Sequence, residues 1–334
     1  MKACVIGGGS IGRRHLGNLK TLGLAELGVV ETDEQRRRLV AQEVGALQLS
    51  GIEEALEWRP DFFVVATPPD LHVEQASQIA HHGFDVFLEK PLSRSEDGLE
   101  YLCHQIKKKG LISMVACNMR FHPGPAKVKE LIERKCLGRL LFARIHVGSY
   151  LPSWRQGSDY SRNYAARPQT GGGCLLDCIH EVDLARWYMG EVQEVFCIAD
   201  HLSSLKISTE DVAVLVCRHC DGTISQIHLD YVQRTYERGC QIVGEKGTIF
   251  WDFNQKQVRW YDAATEWTVF AQPEDWQLNQ MYLGQMEHFV ECVNERRPTV
   301  LPIPEAAAVM QIIFAAKQSA AEGRLVPSMR EVRV

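Results

Sequence analysis

No stretch of the 334 residues stays apolar for the about 20 positions that a helical membrane span needs, so no membrane partner is expected. Positive charge is not in excess either. The 37 Lys and Arg are outnumbered by 42 Asp and Glu, for a net charge of −5. No basic stripe is interleaved with aromatics, which argues against nucleic acid as a partner. Two cysteine pairs at zinc spacing, as a four-cysteine site needs, are missing. One Cys-x-x-Cys occurs, Cys217 to Cys220, but it runs into Asp221-Gly222, a hairpin signal, and no second pair follows. No metal is therefore expected. The 11 cysteines are odd in number and scattered through strand-like and helical stretches. That suits a reducing cytoplasm better than a disulfide framework. Internal repeats and low-complexity tracts are absent, and the first residues already read as a core strand, so no leader is expected. What remains is 45% hydrophobic and 24% charged. That is an ordinary globular composition, in a chain long enough for two domains.

The most informative feature lies at the N-terminus. Residues 3–12 read ACVIGGGSIG, a short apolar run breaking into glycines, with Gly7, Gly9 and Gly12 in Gly-x-Gly-x-x-Gly register. A pyrophosphate needs backbone N–H donors at close range. Gly7 permits the sharp turn, Gly9 lets phosphate approach the backbone, and Gly12 lets the following helix pack on the strand. A helix starting near Ser10 turns its positive end toward the negative charge. Glu31 ends the next apolar run, 19 positions after Gly12. A carboxylate there accepts hydrogen bonds from the ribose hydroxyls of NAD and repels the 2′-phosphate of NADP. NAD is thus expected, with NADP the less favoured cofactor. Arg13, Arg14 and the run Arg36–Arg38 are the alternative ligands for a 2′-phosphate.

The first third alternates strands (Ala3–Ile6, Leu27–Val30, Phe62–Ala66, Val86–Leu88, Ile112–Ala116) with helical patterns (Glu34–Val44, Leu71–His82, Glu96–Lys109). That order predicts a doubly wound parallel sheet with helices on both faces. After about residue 120 the pattern changes to long alternating runs: Leu140–Gly148, Val192–Ala199, Asp211–Cys217, Thr223–Tyr231 and Gly239–Val243. They predict an open, mostly antiparallel sheet. It is interrupted by a helix over Gly173–Gly190 and followed by helices around Gln277–Glu295 and Pro304–Glu322. The fold class is α/β. Residues 1–120 form a Rossmann dinucleotide-binding domain and 121–334 an α/β domain for substrate and oligomerisation.

Cofactor contacts are expected from Gly7, Gly9, Ser10, Ile11, Gly12 and Glu31. Further contacts are expected from Thr67, Pro68 and His72 in VVATPPDLH, and from Glu89 and Lys90 in FLEKPLS. Lys90 stands at a strand's carboxyl edge, where an ammonium can polarise a substrate oxygen, and Pro91 after it suits a rigid, cis-proline turn. Further on, GGGCLLDCIHEVDLARWYMG sets Asp177, His180 and Asp183 at successive i, i+3 positions, on one face of a helix. A histidine flanked by carboxylates suits proton transfer. Asp183 either orients the ring or pairs locally.

The order GGGSIGRRH, ATPPDLH, LEKPLS, NMRFHP and GGG…H-x-x-D…W…G resembles the glucose–fructose oxidoreductase and inositol dehydrogenase family (Gfo/Idh/MocA) over nearly the whole chain. The resemblance implies hydride transfer between NAD(P) and a carbon of a sugar, cyclitol or nucleotide sugar, with Lys90 as the motif lysine and His180 as catalytic acid/base. It also implies a homodimer or homotetramer through the C-terminal sheet. Many members carry an aspartate four residues before the histidine. Here that position is Leu176, and Asp177 lies three before. Substrate contacts are expected from Lys90, Asn118, Arg120, Trp154, Arg155, Tyr164 and His180. The segment Ser149–Gln169 is rich in aromatics for stacking on sugar rings, and Arg155, Arg162 and Arg167 suit an anionic sugar. Tyr231 and Arg234 are further candidates for substrate contact. With His180-Glu181 and a long aromatic-rich insert before the glycines, the chain looks like members encoded with surface-polysaccharide and sialic-acid-type sugar pathways. Two other readings stand beside it: a redox-neutral enzyme with tightly held NAD, and an NAD-binding regulator without turnover.

Overall fold

The computed structural model describes residues 1–154 and 159–329, so Arg155 lies outside the described residues. The chain forms two compact units, Met1–Asn118 with Leu278–Ala307, and Met119–Gln277 with Ala308 onward.

The first unit is built on six strands: β1 (Lys2–Ile6), β2 (Glu26–Val30), β3 (Leu47–Leu49), β4 (Phe62–Val65), β5 (Asp85–Leu88) and β6 (Ser113–Val115). Helices α1 (Ser10–Thr21), α2 (Glu34–Val44), α3 (Ile52–Trp58), α4 (His72–His81) and α5 (Leu99–Lys109) separate them. The strands pair in parallel in the order β3-β2-β1-β4-β5-β6. This is the doubly wound order, and it reverses between β1 and β4, where such sheets bind ligands. Strand β4, FFVV, is buried along its whole length, as a parallel sheet covered on both faces requires. A boundary at residue 120 would leave α9 (Asn279–Glu295) in the second domain. In the structure Phe289 of α9 meets Phe62 and Phe87 edge-on, at ring-centroid distances of 5.2 and 5.5 Å. Arg296 then pairs with Asp85. The far end of the chain thus completes the first core.

In the second unit, α6 (Pro123–Glu133), β7 (Leu140–Gly148), α7 (Cys174–Asp177), α8 (Ile179–Met189) and β8 (Val192–Asp200) come first. Strands β9 (Val212–His219), β10 (Ile224–Asp230), β11 (Glu237–Gly244), β12 (Gly247–Asp252), β13 (Gln257–Asp262) and β14 (Glu266–Ala271) follow. Helix α10 (Ile303–Glu322) and the short β15 (Val326–Pro327) close the described chain. The sheet order is β14-β13-β12-β11-β7-β10-β9-β8-β15. Only β7 and β10 pair in parallel; the other neighbours are antiparallel. Alternation decides the faces: Ala143, Ile145 and Val147 point into the core, under α8, and Arg144 and His146 point out.

His122 caps α6. Its Nδ1 accepts a hydrogen bond from the Gly124 N–H (3.1 Å), and the rings of Trp251, Phe253 and Trp276 surround it. Burial, helped by the charge of Arg238, pushes its pKa down to about 4. The unfolded chain takes up that proton near the ordinary value of 6.5. The stability this ring contributes is therefore complete above pH 6.5 and is lost as pH falls toward 4, at up to about 1.4 kcal/mol per pH unit. Urea melts at stepped pH are expected to show that slope. His122→Asn, which keeps a cap acceptor, should flatten it; an unchanged slope would remove His122 as its source.

Candidate active site

The dinucleotide side comes from β1, α1 and β2. Gly7 has φ of 100°, and a Cβ there would lie 2.6 Å from the Ala66 carbonyl oxygen. A Cβ on Gly12 would stand 1.8 Å from the Gly7 oxygen, so both glycines are required for the chain to pass. A Cβ on Gly9 would meet nothing within 4 Å: space is open where a pyrophosphate would approach. Gly9 also caps α1 without a side-chain hydrogen bond, so the first helical N–H groups face that space. Ser10 is exposed and Ile11 half-buried at the same turn.

Glu31 follows directly on β2 and is 7% exposed. Its Oε2 accepts from the Gly8 N–H (2.9 Å) and its Oε1 from the Asp33 N–H (3.0 Å), and Arg36 Nη1 lies 3.3 Å from Oε2. Burial raises its pKa, but the two N–H donors and Arg36 outweigh that, and the net shift is downward. Glu31 is a carboxylate at neutral pH, fixed beside the glycine turn. These residues fit the adenosine ribose and pyrophosphate of NAD. Glu31→Ser leaves Arg36 without the carboxylate. Calorimetry should then show the NAD-over-NADP affinity ratio falling by about ten-fold or more.

Lys90 follows β5, and the Lys90–Pro91 peptide is cis. Its neighbour Glu89 is buried and holds the turn from two directions. Glu89 Oε1 lies 2.7 Å from Nε2 of His15, which α1 buries completely, and Oε2 accepts from the Lys90 N–H (3.2 Å). His72, at the start of α4, is 1% exposed. Its Nδ1 sits 2.8 Å from the Pro91 carbonyl oxygen and its Nε2 2.8 Å from that of Thr67. Burial, the largest influence, lowers its pKa against the pull of those two carbonyls. His72 thus bridges the turn after β4 to the Lys90 turn. Thr67 donates to Gln75 (2.7 Å), and Pro68 is exposed.

In the second unit the expected helix over Gly173–Gly190 is broken. Cys178, at φ −90° and ψ 32°, separates α7 from α8. Asp177 therefore does not share a continuous helical face with His180. It accepts instead from two tyrosine hydroxyls, Tyr164 to Oδ1 (2.9 Å) and Tyr231 to Oδ2 (3.3 Å). Tyr231 is fully buried. Burial, then the Asp177 charge, pushes its pKa well up, so its hydroxyl remains a donor. Glu210 holds the α7 turn: the Leu175 N–H donates to its Oε1 (3.1 Å) and the Cys174 N–H to its carbonyl (3.2 Å). Burial raises the Glu210 pKa and lowers that of Lys317 on α10, whose charges attract each other.

His180 is 8% exposed on the first turn of α8, and the two acids that follow it on that helix are held by arginines. Glu181 takes a two-pronged bond from Arg238 on β11 (2.7 and 3.2 Å), and Asp183 one from Arg120 (2.9 and 2.7 Å). Both carboxylates are 0% exposed. The Glu181 charge drives the Arg238 pKa up against its burial. Asp183, a candidate to orient the imidazole, places both oxygens on Arg120. Arg120, expected to meet substrate, points its guanidinium at Asp183 and lies over the Trp187 ring at 5.1 Å. Asn118 is buried in the turn Asn118–Phe121, and Trp154 is 40% exposed with its indole N–H on Ser149 Oγ (2.6 Å). Arg238 and Glu210 were not legible as site residues.

A doubly wound sheet with an open glycine turn and a fixed ribose-side carboxylate defines an NAD-binding oxidoreductase domain. Here it is joined to an open-sheet domain that carries a buried histidine. Residues 1–117 match the model described as oxidoreductase family, NAD-binding Rossmann fold, and residues 126–250 match the GFO/IDH/MocA C-terminal domain. The chain belongs to the GFO/IDH/MocA oxidoreductase family. It is 28% identical to myo-inositol 2-dehydrogenase of Thermotoga maritima, covering 98% of each chain. It is 27% identical to GenD2 from gentamicin A biosynthesis, solved in complex with NAD (TM-score 0.84; 99% of this chain and 97% of that one). Levoglucosan dehydrogenase in complex with NADH shares the fold at 19% identity, with a TM-score of 0.90 over 99% of this chain and 100% of that one.

Proposed function

We propose that this protein is an NAD-dependent dehydrogenase of a secondary alcohol on a sugar, cyclitol or sugar derivative. The observation that carries the reading is the buried histidine on α8, a helix fixed by two buried carboxylate–guanidinium pairs, in a chain whose other unit is an NAD-binding Rossmann domain. Gly7, Gly9, Gly12 and the start of α1 receive the pyrophosphate, and Glu31 the ribose. NAD, when bound, accepts the hydride at C4 of its nicotinamide. Lys90 donates a hydrogen bond to the reacting oxygen and stabilises charge on it. His180 takes the hydroxyl proton during oxidation and returns it during reduction. Asp177, fixed by two tyrosines, places a carboxylate at the end of the turn that leads into α8. The relatives named as dehydrogenases of myo-inositol and levoglucosan support an alcohol carbon as the reacting centre. NADH production from a panel of cyclitols, neutral sugars and acidic sugars tests the reading. Turnover of at least one is expected, and NAD that stays oxidised with every member would turn the case toward a redox-neutral or regulatory role.

The outer face of the nine-stranded sheet supports self-association. Ile198, Val216 and Ile224 stand on it at 65%, 43% and 40% exposure, and Trp267 and Val269 continue it at the edge. A patch of that kind on a β-sheet is best covered by its own copy about a two-fold axis. Light scattering should give a dimer or tetramer, and Val216→Glu with Ile224→Glu a smaller species; a wild-type monomer at micromolar concentration would contradict it. A cytoplasmic location is proposed with it, since all 11 cysteines are free thiols. Among the described residues no helix is long and apolar enough to cross a membrane.

A further inference from the structure

Arg234 lies just past the end of β10, and its guanidinium sits over the Tyr150 ring, 3.8 Å from the centroid. Both residues stand on turns that the backbone holds in place. Asp230 Oδ1 accepts from the N–H groups of Val232 (2.9 Å) and Gln233 (2.7 Å) and so folds the chain back after β10. The Ser149 N–H donates to the Asp230 carbonyl (3.2 Å), and the Leu151 N–H to that of Tyr231 (3.0 Å). A Cβ on Gly148 would clash with Gln233 and Asp230, so the two turns are in tight contact. Among the described residues no carboxylate lies within ion-pair distance of Arg234, and the side chain is exposed. Arg162, by contrast, pairs with Asp159 at 3.5 Å and is 83% exposed.

An aromatic wall leads from that cation toward Asp177. The Trp154 ring meets the Tyr231 ring edge-on at 5.3 Å, and the Tyr231 hydroxyl bonds Asp177. Trp154 closes the same short turn that starts at Tyr150, through the Ser153 N–H to the Tyr150 carbonyl (2.9 Å). A half-exposed indole is thus one tyrosine ring away from Asp177, and the guanidinium of Arg234, reaching across from the neighbouring turn, stacks on Tyr150 at the start of the indole's own turn. We infer that Arg234 on Tyr150, together with Trp154, forms a subsite for the carboxylate or phosphate of an anionic sugar. The indole stacks on the sugar ring, and the planar fork of the guanidinium binds two oxygens of the anion. Stacking on Tyr150 holds the fork in one plane before the ligand arrives, which lowers the ordering cost of binding. The inference rests on the dehydrogenase reading and narrows its substrate class to acidic sugars or sugar phosphates.

The test is calorimetric binding of D-glucose, D-glucuronate and D-glucose 6-phosphate to the full chain saturated with NAD. NAD affinity, measured on the same samples, reports separately on the Rossmann reading and on folding of each variant. The wild type should bind at least one anion about ten-fold more tightly than glucose. A preference for glucuronate alone identifies a carboxylate, and one for glucose 6-phosphate alone a phosphate. Arg234→Gln should abolish most of that preference, and Arg234→Lys should keep part of it through charge without the stacked fork. Three results would overturn the subsite while NAD still binds: equal affinity for the three sugars in the wild type, no binding of any of them, or an anion preference that survives in Arg234→Gln. Loss of NAD binding by the wild type would instead strike at the dehydrogenase reading itself.

Discussion

Alanine at position 180 is expected to lower kcat by a factor of about 10²–10⁴ and to leave NAD affinity unchanged. The imidazole of His180 is the proposed proton carrier, and no other side chain on α8 can replace it: Glu181 and Asp183 have their carboxylates on arginines. The loss should fall on the chemical step. A primary deuterium isotope effect on hydride transfer is therefore expected to rise, because hydride loss from an alcohol whose proton no base takes becomes the slow step. A loss confined to KM would place His180 among binding groups instead.

Asp183→Asn is expected to destabilise the protein by about 3–5 kcal/mol. Arg120 and Asp183 are both nearly inaccessible, with side chains 6% and 0% exposed. Asparagine keeps the shape but takes from a buried guanidinium the charge of Asp183. Replacing both members by apolar residues of similar size, Arg120→Met with Asp183→Leu, should recover most of the stability, since the pair's desolvation cost disappears with its attraction. That double variant also separates two roles for Arg120. If the arginine only anchors α8, recovered stability brings recovered turnover. If it touches substrate, KM stays high in a stable protein. Chemical denaturation and steady-state kinetics on the same preparations decide between them.

The first unit was largely legible because its signals are local. A buried parallel strand is a continuous apolar run, and a glycine turn needs glycines at fixed offsets. Strand β3 left no such mark: two of its three residues are exposed. Strands β13 and β14 at the sheet edge were also not recognised, since edge strands mix exposed aromatics with charges and lack a buried face on one side. The break at Cys178 was hidden because i, i+3 spacing of Asp177, His180 and Asp183 is what an unbroken helix would show. Tertiary contacts supply the reason for it: Glu210 grips the α7 turn, and Tyr164 and Tyr231 draw Asp177 toward themselves. The partners of the acids around His180 were equally beyond reach. Arg120 and Arg238 lie 63 and 57 residues from Asp183 and Glu181, and no periodicity connects such distances. Phe289 belongs to the first core for a similar reason, as a late residue returning to an early sheet.

The most direct test of the central claim is NADH formation in a single turnover, with a sugar or cyclitol that the wild type oxidises, compared among wild type, Lys90→Ala and His180→Ala. All three are expected to bind NAD with similar affinity, the wild type to form NADH, and both variants to form it at least about a hundred-fold more slowly. Near wild-type NADH formation by both variants would contradict the assignment of polarisation to Lys90 and proton transfer to His180.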